Sequence, residues 1–161
     1  IEGFFMDGGG AAKWGLRHPD LFGSISIIDG ALHTGDPATG ALATSLQNVY
    51  GGDRDYYDAR DPWKLVEKNA DMLKDRTTIR IVTRTTGLSS ANKAFHEHLA
   101  KFGLASEFHM SPNVPHSPNP LYEGLGNKIW IFYQHAFAKA IGSTETRSRN
   151  SLPGRAVRLF K

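Results

Sequence analysis

The first ten residues, IEGFFMDGGG, have the pattern of a sharp turn that presents a reactive side chain. A short apolar run, typical of the end of a strand, is followed at once by glycines and then by a helical pattern. Phe5 occupies the position at which the reactive group is expected. A phenyl ring has no nucleophilic atom, so this turn cannot form a covalent intermediate through Phe5.

The histidines and carboxylates give little sign of a metal site. His96 and His98 flank Glu97, but residues two apart on a helix do not face each other, so a surface helix is favoured over a zinc site. The other histidines are scattered, and the chain has no cysteine for a disulfide or a thiolate ligand. No glycine-rich phosphate-binding motif is present either. We expect no metal and no cofactor.

These residues must be positioned by a fold in which short apolar runs alternate with helical patterns. That order predicts an α/β fold with a parallel sheet. Strands are predicted at 1–5, Ser24–Ile28, 79–83 and 106–110, and helices at 9–17, 62–73, 90–102 and 127–141. The fourth of these helices is followed by a basic tail. The segment "SPNVPHSPNPLYEG", which contains His116, is predicted to be a loop stiffened by prolines.

A long, less regular segment at 35–61 is predicted to lie between regular elements, where such segments often wall a binding site. Gly52, Asp53 and Tyr57, with the neighbouring aromatics, could line a pocket for an aromatic acyl group or a sugar. The alternative is a glycine turn, a helix cap and packing aromatics. The sequence does not decide between these two interpretations.

The composition is that of a soluble globular protein, with 40% hydrophobic and 22% charged residues among 161. No apolar run is long enough for a membrane helix, and no signal peptide is recognisable, so the compartment stays open. Residues 145–161 carry a net charge of +4, whereas the whole chain carries +3, so the remainder has a net charge of −1. We therefore divide the chain into a domain at 1–142 and a basic, flexible tail at 143–161. Nucleic-acid binding is the less favoured role for that tail.

The ordered segments resemble an esterase family of the α/β-hydrolase fold that contains esterase D-like enzymes and feruloyl esterases. "GFFMDGGGAAKWGLRHPDLFGSISIIDGAL" is similar to the family's nucleophile elbow, and "YGGDRDYYDARDPWKLVEKNADML", "IRIV", "ANKAFHEHLAKFGL" and "VPHSPNPLYEGLGNKIWIFYQHAFA" follow in the family's order. The resemblance covers about residues 1–140. It implies a three-layer fold, a parallel sheet flanked by helices, that starts at the elbow and lacks the family's N-terminal strands. We therefore expect self-association through an exposed sheet edge.

By this resemblance, Phe5 stands at the nucleophilic serine, Met6 supplies the oxyanion N–H and Thr86 stands at the acid. His116 matches the catalytic base. The implied function is a carboxylic-ester hydrolase acting on a small ester or acyl ligand, with a degenerate triad and little or no activity. The alternative is a non-catalytic binding or interaction module that keeps the fold.

Two residues could replace the lost groups. Asp29 follows the strand Ser24–Ile28, where certain lipases of this fold place their acid, although it could equally cap a loop. Asp7 could act as the nucleophile, as an aspartate does in haloalkane dehalogenases, if the turn were shifted by two residues. Its alternative is a turn or helix-capping role.

Overall fold

A single parallel sheet of four strands, in the order β1-β2-β3-β4, forms the centre of the molecule. The computed structural model describes residues 1–150, and the side chains of all of them except residues 41 and 140–150. The strands are β1 (Glu2–Phe4), β2 (Ser24–Ile28), β3 (Thr78–Arg84) and β4 (Ser106–Ser111). The helices are α1 (Met6–Arg17), α2 (Gly40–Tyr50), α3 (Arg54–Asp58), α4 (Pro62–Leu73), α5 (Ser89–Lys101), α6 (Pro118–Leu125) and α7 (Lys128–Asn150). The predicted α/β class with a parallel sheet is confirmed.

The two central strands, β2 and β3, are buried along almost their whole length because helices cover both faces of the sheet. On one face, Ile25 and Ile27 of β2 lie beside Ile79 and Ile81 of β3 in register, and all four are buried. This face packs against α1, α4 and α5 and forms the larger core. The opposite face packs against α6 and α7. The result is the three-layer arrangement that the sequence predicts.

The face toward α6 and α7 buries a charged network around Arg80. Its guanidinium is fully buried, donates to Glu2 at 3.0 Å and to Ser26 Oγ, and lies 4.3 Å from the ring centroid of Phe132. Glu2 also accepts hydrogen bonds from the hydroxyls of Tyr122 in α6 and Tyr133 in α7. A buried cation is stable only when it is paired and hydrogen-bonded, and this network supplies both conditions. It ties β1 to the helical layer.

The start of α4 follows the sequence signal. Asp61 accepts a hydrogen bond from Trp63 N at 3.2 Å, and Pro62 takes the first helical position. The preceding segment at 35–61, predicted to be less regular than its neighbours, contains two helices, α2 and α3, that the sequence analysis did not predict. The sequence of α2, GALATSLQNVY, contains several weak helix formers. Tertiary packing, with Leu46 buried, outweighs that low propensity.

The proline-rich loop around His116 is shorter than predicted. Helix α6 begins at Pro118. Proline is tolerated in the first turn of a helix because a backbone N–H at that position would have no partner within the helix. At the end of the described chain, α7 continues to Asn150, so the predicted domain boundary at 142 falls inside this helix. The rest of the predicted tail, residues 151–161, lies outside the described residues.

The two outer strands of the sheet are β1 and β4. Within residues 1–150, β1 is hydrogen-bonded to β2 and to no second strand. Its outer edge therefore presents free backbone groups, and association through it stays a prediction. No helix in the described part of the chain is both long and apolar enough to cross a membrane.

Candidate functional site

Phe5 is the apex of a tight turn between β1 and α1. Its backbone angles are φ 53° and ψ −111°, a region that is unfavourable for a residue with a side chain, by about 1–3 kcal/mol. Two hydrogen bonds of 2.9 Å hold it: Phe5 N donates to the carbonyl of Ile28, and the Phe5 carbonyl accepts from Ala31 N. The ring is 39% exposed at the carboxyl end of the sheet. A strained strand-to-helix turn that lifts one side chain above a parallel sheet is the form of a nucleophile elbow.

Crowding of the backbone explains the glycines of this turn. A Cβ on Gly3 would lie 2.0 Å from the carbonyl oxygen of Asp7. A Cβ on Gly8 would lie 2.9 Å from Cα of Gly30, in the loop after β2. Backbone atoms cannot move aside as a flexible side chain can, so both positions require glycine for the turn to close.

His116 lies directly beside Phe5. It comes from the loop between β4 and α6, and its ring centroid is 4.8 Å from that of Phe5, with the two rings nearly perpendicular at 86°. The ring of Phe4 packs on the same imidazole at 4.7 Å. The apex of the elbow and the predicted base are thus in van der Waals contact, although 111 positions separate them in sequence.

Asp29 is the carboxylate that contacts His116. Nδ1 of His116 lies 2.8 Å from Oδ2 of Asp29, whose side chain is fully buried at the end of β2. Because an ionised carboxylate only accepts hydrogen bonds, Nδ1 must donate, which leaves Nε2 as the unprotonated nitrogen of the neutral ring. This is the tautomer that a general base requires.

Two residues at the end of β3 support Asp29. Thr83 Oγ1 donates to Oδ1 at 2.8 Å, and Arg84 Nε donates to Oδ2 at 2.8 Å. Burial opposes the charged form of Asp29, but the hydrogen bonds from Thr83, Arg84 and His116, with the charge of Arg84, lower its pKa below the ordinary value. Asp29 is therefore ionised near neutral pH. Sequence reasoning missed Thr83 and Arg84, although their position at the end of a buried strand was a usable signal.

Asn92 of α5 fixes the loop that follows Asp29. Its amide donates to the carbonyl of Gly30 at 2.9 Å, and its side-chain oxygen accepts from Gly30 N at 3.2 Å. The side chain is fully buried, so these bonds satisfy groups that water cannot reach. A polar residue on the apolar face of a predicted helix was the only sequence signal for it.

The other predicted residues of the triad lie apart from this group. Thr86 is exposed in the loop after β3, and Asp7 is exposed in the first turn of α1. Among the contacts of the described residues, no hydrogen bond joins either of them to His116. Met6 is the first residue of α1, so its N–H lies at the helix N-terminus, next to Phe5.

A cleft of about 300 Å³ opens beside the N-terminal half of α1 and includes Met6, Gly9, Leu32 and Tyr57 in its lining. Burial, with nearby carboxylates, raises the pKa of the Tyr57 phenol. The cleft brings Tyr57 to the same side of the molecule as the elbow.

Gly52 and Asp53 are placed differently from Tyr57, since neither lines that cleft. The side chain of Asp53 accepts from Tyr56 N at 2.8 Å and caps α3. Gly52, at φ 75°, belongs to the left-handed turn after α2. Their observed contacts are those of a turn and a cap.

The two histidines of α5, His96 and His98, have separate partners. His96 Nδ1 lies 2.7 Å from Ser106 Oγ, and His98 Nε2 lies 3.1 Å from the carbonyl oxygen of Trp63. Among the side chains that the structure describes, no group of three or more His, Asp or Glu is arranged to hold a metal ion.

Several solved structures share this fold. The chain is similar to an S-formylglutathione hydrolase from Staphylococcus aureus, with a TM-score of 0.58 and 18% identity over 82% of this chain and 49% of that one. It is also similar to a ferulic acid esterase, with a TM-score of 0.56 and 18% identity over 88% of this chain and 51% of that one. A Bacteroides ovatus protein described as a dipeptidyl aminopeptidase IV matches with a TM-score of 0.60 and 12% identity, over 84% of this chain and 19% of that one. No protein-family model and no curated protein matches the chain.

The fold is therefore that of the α/β hydrolases, as the sequence predicts. The chain spans about half the length of the hydrolase and the esterase that it matches. These similar proteins share the fold but are described by different activities: a hydrolase, an esterase and an aminopeptidase. The reaction of this chain must be argued from its own residues.

Proposed function

We propose that this chain is a carboxylic-ester hydrolase by descent whose acyl-transfer step is lost at Phe5. The observation that carries the proposal is the contact of the Phe5 ring with His116, at 4.8 Å, at the apex of a strained elbow. In a serine hydrolase the apex hydroxyl attacks the carbonyl carbon while the histidine accepts its proton. Here the apex carries a phenyl ring, which has no lone pair to donate and no proton for the base to accept.

The rest of the catalytic group is suited to its original task. Asp29 is ionised, is held by two further donors and lies 2.8 Å from His116 Nδ1, so it can stabilise the imidazolium that forms in general-base catalysis. The N–H of Met6 is at the N-terminus of α1, where backbone donors can stabilise an oxyanion. We infer that the acid of this site is Asp29, and that Thr86 is not needed for that role.

The experiment compares hydrolysis of p-nitrophenyl acetate by the chain and by Phe5→Ala and His116→Ala variants. All three should hydrolyse the ester at the same low rate, because none has a nucleophile at the apex. His116-dependent turnover by the unmodified chain above the Phe5→Ala rate would show that another nucleophile, Asp7 being the first candidate, performs the reaction.

A restored nucleophile gives the complementary test. Phe5→Ser should react covalently at residue 5 with a fluorophosphonate, detected by mass spectrometry of the peptide that contains it. The label should disappear in Phe5→Ser/His116→Ala and weaken strongly in Phe5→Ser/Asp29→Asn. Adding Thr86→Asp to Phe5→Ser should give no further gain. If only the variant with Thr86→Asp reacts, the acid assigned to Asp29 is wrong.

A second candidate is a binding module that retains the site without catalysis. The cleft of about 300 Å³ beside the elbow supports it, because its apolar lining, with Leu32 and Tyr57, suits the acyl part of a small ester. Trifluoromethyl ketones that mimic acetate and hexanoate esters can be titrated by NMR. Binding that strengthens with acyl length and weakens in Tyr57→Ala supports this candidate; no binding of either compound excludes it.

A further inference from the structure

A second cleft, of about 350 Å³, lies along the outer side of α1 and adjoins the first, with which it shares Lys13, Tyr50 and Arg60. This volume falls in the range of about 300–1,000 Å³ that is usual for small-molecule sites. Its lining combines three cations with three aromatic side chains: Lys13, Arg17, Arg60, Trp14, Tyr50 and Tyr56. No acidic residue is among the described residues that line it.

The positive charge of this cleft is not neutralised within the described part of the chain. Arg54, Arg80 and Arg84 pair with carboxylates. Among the described side chains, no ion pair involves the three cations of the cleft, Lys13, Arg17 and Arg60. Lys13 Nζ donates to the hydroxyl of Tyr50 at 2.8 Å, and Arg60 Nη1 donates to a backbone carbonyl at 3.0 Å. Both acceptors are neutral, so three positive charges remain together on one concave surface. Such a surface attracts an anion.

Two of the three aromatic side chains of the cleft, Trp14 and Tyr56, are exposed to solvent. Trp14 is 52% exposed and Tyr56 is 46% exposed. His18 stacks on the indole of Trp14 at 5.5 Å, and the guanidinium of Arg60 lies 3.4 Å from the ring centroid of Tyr56. These contacts fix the orientation of the rings while leaving apolar surface for a planar ligand group.

We propose that this cleft binds a planar aromatic compound that carries a phosphate group. A phosphate ester has nearly two negative charges and three acceptor oxygens, which suits a cluster of two arginines and one lysine better than a single carboxylate does. The aromatic part of the ligand packs against Trp14 and Tyr56. The site is distinct from the elbow, because Lys13 and Arg17 lie roughly 12–18 Å along α1 from Phe5 at 1.5 Å per residue.

The test is calorimetric titration of the full chain with 1-naphthyl phosphate, inorganic phosphate and 1-naphthol. We expect one molecule of 1-naphthyl phosphate to bind per chain. Its affinity should be at least about tenfold higher than that of inorganic phosphate or of 1-naphthol, because the charged and the aromatic contacts act together. Affinity should fall as salt screens the charges. The proposal is overturned if inorganic phosphate binds as tightly, if 1-naphthol binds as tightly, or if 1-naphthyl phosphate does not bind at millimolar concentration.

Variants assign the binding to this cleft. Arg17→Gln and Trp14→Leu change exposed side chains and should each weaken 1-naphthyl phosphate about tenfold, through loss of a charge-assisted contact and of a stacking surface respectively. Arg76→Gln is the matched control, since it removes an exposed arginine outside the cleft, and it should bind like the unmodified chain. Equal weakening by Arg76→Gln would mean that binding depends on overall charge, which contradicts the proposal. Phe5→Ala should bind unchanged, so this test is independent of the proposed function.

Discussion

The buried carboxylate of Asp29 is predicted to be a major source of stability as well as the partner of His116. Replacing Asp29 by Asn keeps the shape and one acceptor oxygen for Thr83. It places an NH₂ group toward the two donors Arg84 Nε and His116 Nδ1, each of which lies 2.8 Å from Asp29 Oδ2 in the unmodified protein. The change therefore removes two hydrogen bonds to a charged acceptor and leaves a guanidinium without its counter-charge.

The magnitude follows from burial. Breaking a buried ion pair by removing one partner destabilises a protein by about 3–5 kcal/mol. The side chain of Asp29 is fully buried, but that of Arg84 is 19% exposed and can regain some hydration. We expect a loss near the lower end, about 3 kcal/mol, a large part of the ~5–15 kcal/mol that stabilises a typical domain. With a urea m-value of about 2 kcal/mol/M, the midpoint of unfolding should fall by about 1.5 M.

The control is Asp36→Asn. Asp36 also pairs with an arginine, Arg54, at 2.7 Å, but both side chains are about half exposed, at 53% and 49%. Because water and salt screen an exposed pair, this substitution should shift the urea midpoint much less than Asp29→Asn does. Equal shifts for the two variants would refute the reasoning from burial.

The pH dependence of unfolding, compared between the unmodified chain and Asp29→Asn, tests whether the charge of Asp29 is the cause of the stabilisation. The pKa of Asp29 is lower in the folded state than its unfolded value of about 3.9. Its ionisation therefore contributes stability that is fully present above the unfolded pKa and is lost as the pH falls through the folded pKa. The difference in unfolding free energy between the unmodified chain and Asp29→Asn should therefore narrow as the pH falls below about pH 4. A difference that stays constant into the acid range would show that the carboxylate charge is not what stabilises the loop.

Three further predictions concern the turn, the buried network and the sheet edge. Gly3→Ala should prevent stable folding, because its Cβ would lie 2.0 Å from the carbonyl oxygen of Asp7. Gly10→Ala, with no atom within 4 Å of its Cβ, should instead stabilise α1 by about 0.5–1 kcal/mol. Thermal unfolding of the two variants tests the prediction, and destabilisation by both would mean that the turn tolerates no substitution of its glycines. Burial and hydrogen bonds to a carboxylate raise the pKa of Tyr122, and raise that of Tyr133 to about 12. An ultraviolet titration should therefore find these two tyrosines ionising last of the five, and stability should be lost as the pH rises from about 10 through their folded-state pKa values; a single transition near pH 10 contradicts the network. The free edge of β1 should cause concentration-dependent association on gel filtration, and a monomer peak at every concentration would exclude it.

Much of the fold could be predicted because local signals agree with the final packing. The Asp61-Pro62 pair marked the start of α4, and "SISII" gave β2 its observed limits, Ser24–Ile28. The sequence did not predict α2 and α6, because these helices depend on tertiary packing that local sequence patterns do not reveal. Helix α2 has a weakly helical composition and is stabilised by packing, and the prolines before α6 are compatible with both a loop and a first helical turn.

The sequence by itself determined the chemical inventory of the site: a phenyl ring at the apex of a glycine-rich turn, a histidine downstream, and no cysteine. It also indicated the α/β-hydrolase fold, since an ordered series of segments is a property of the chain alone. Only the tertiary structure decided which carboxylate meets His116. Asp29 and His116 are 87 residues apart, and they come within 2.8 Å because parallel strands bring their carboxyl ends to one edge of the sheet. No local pattern encodes that distance, so the choice between Asp29 and Thr86 as the acid required the pairing of the strands.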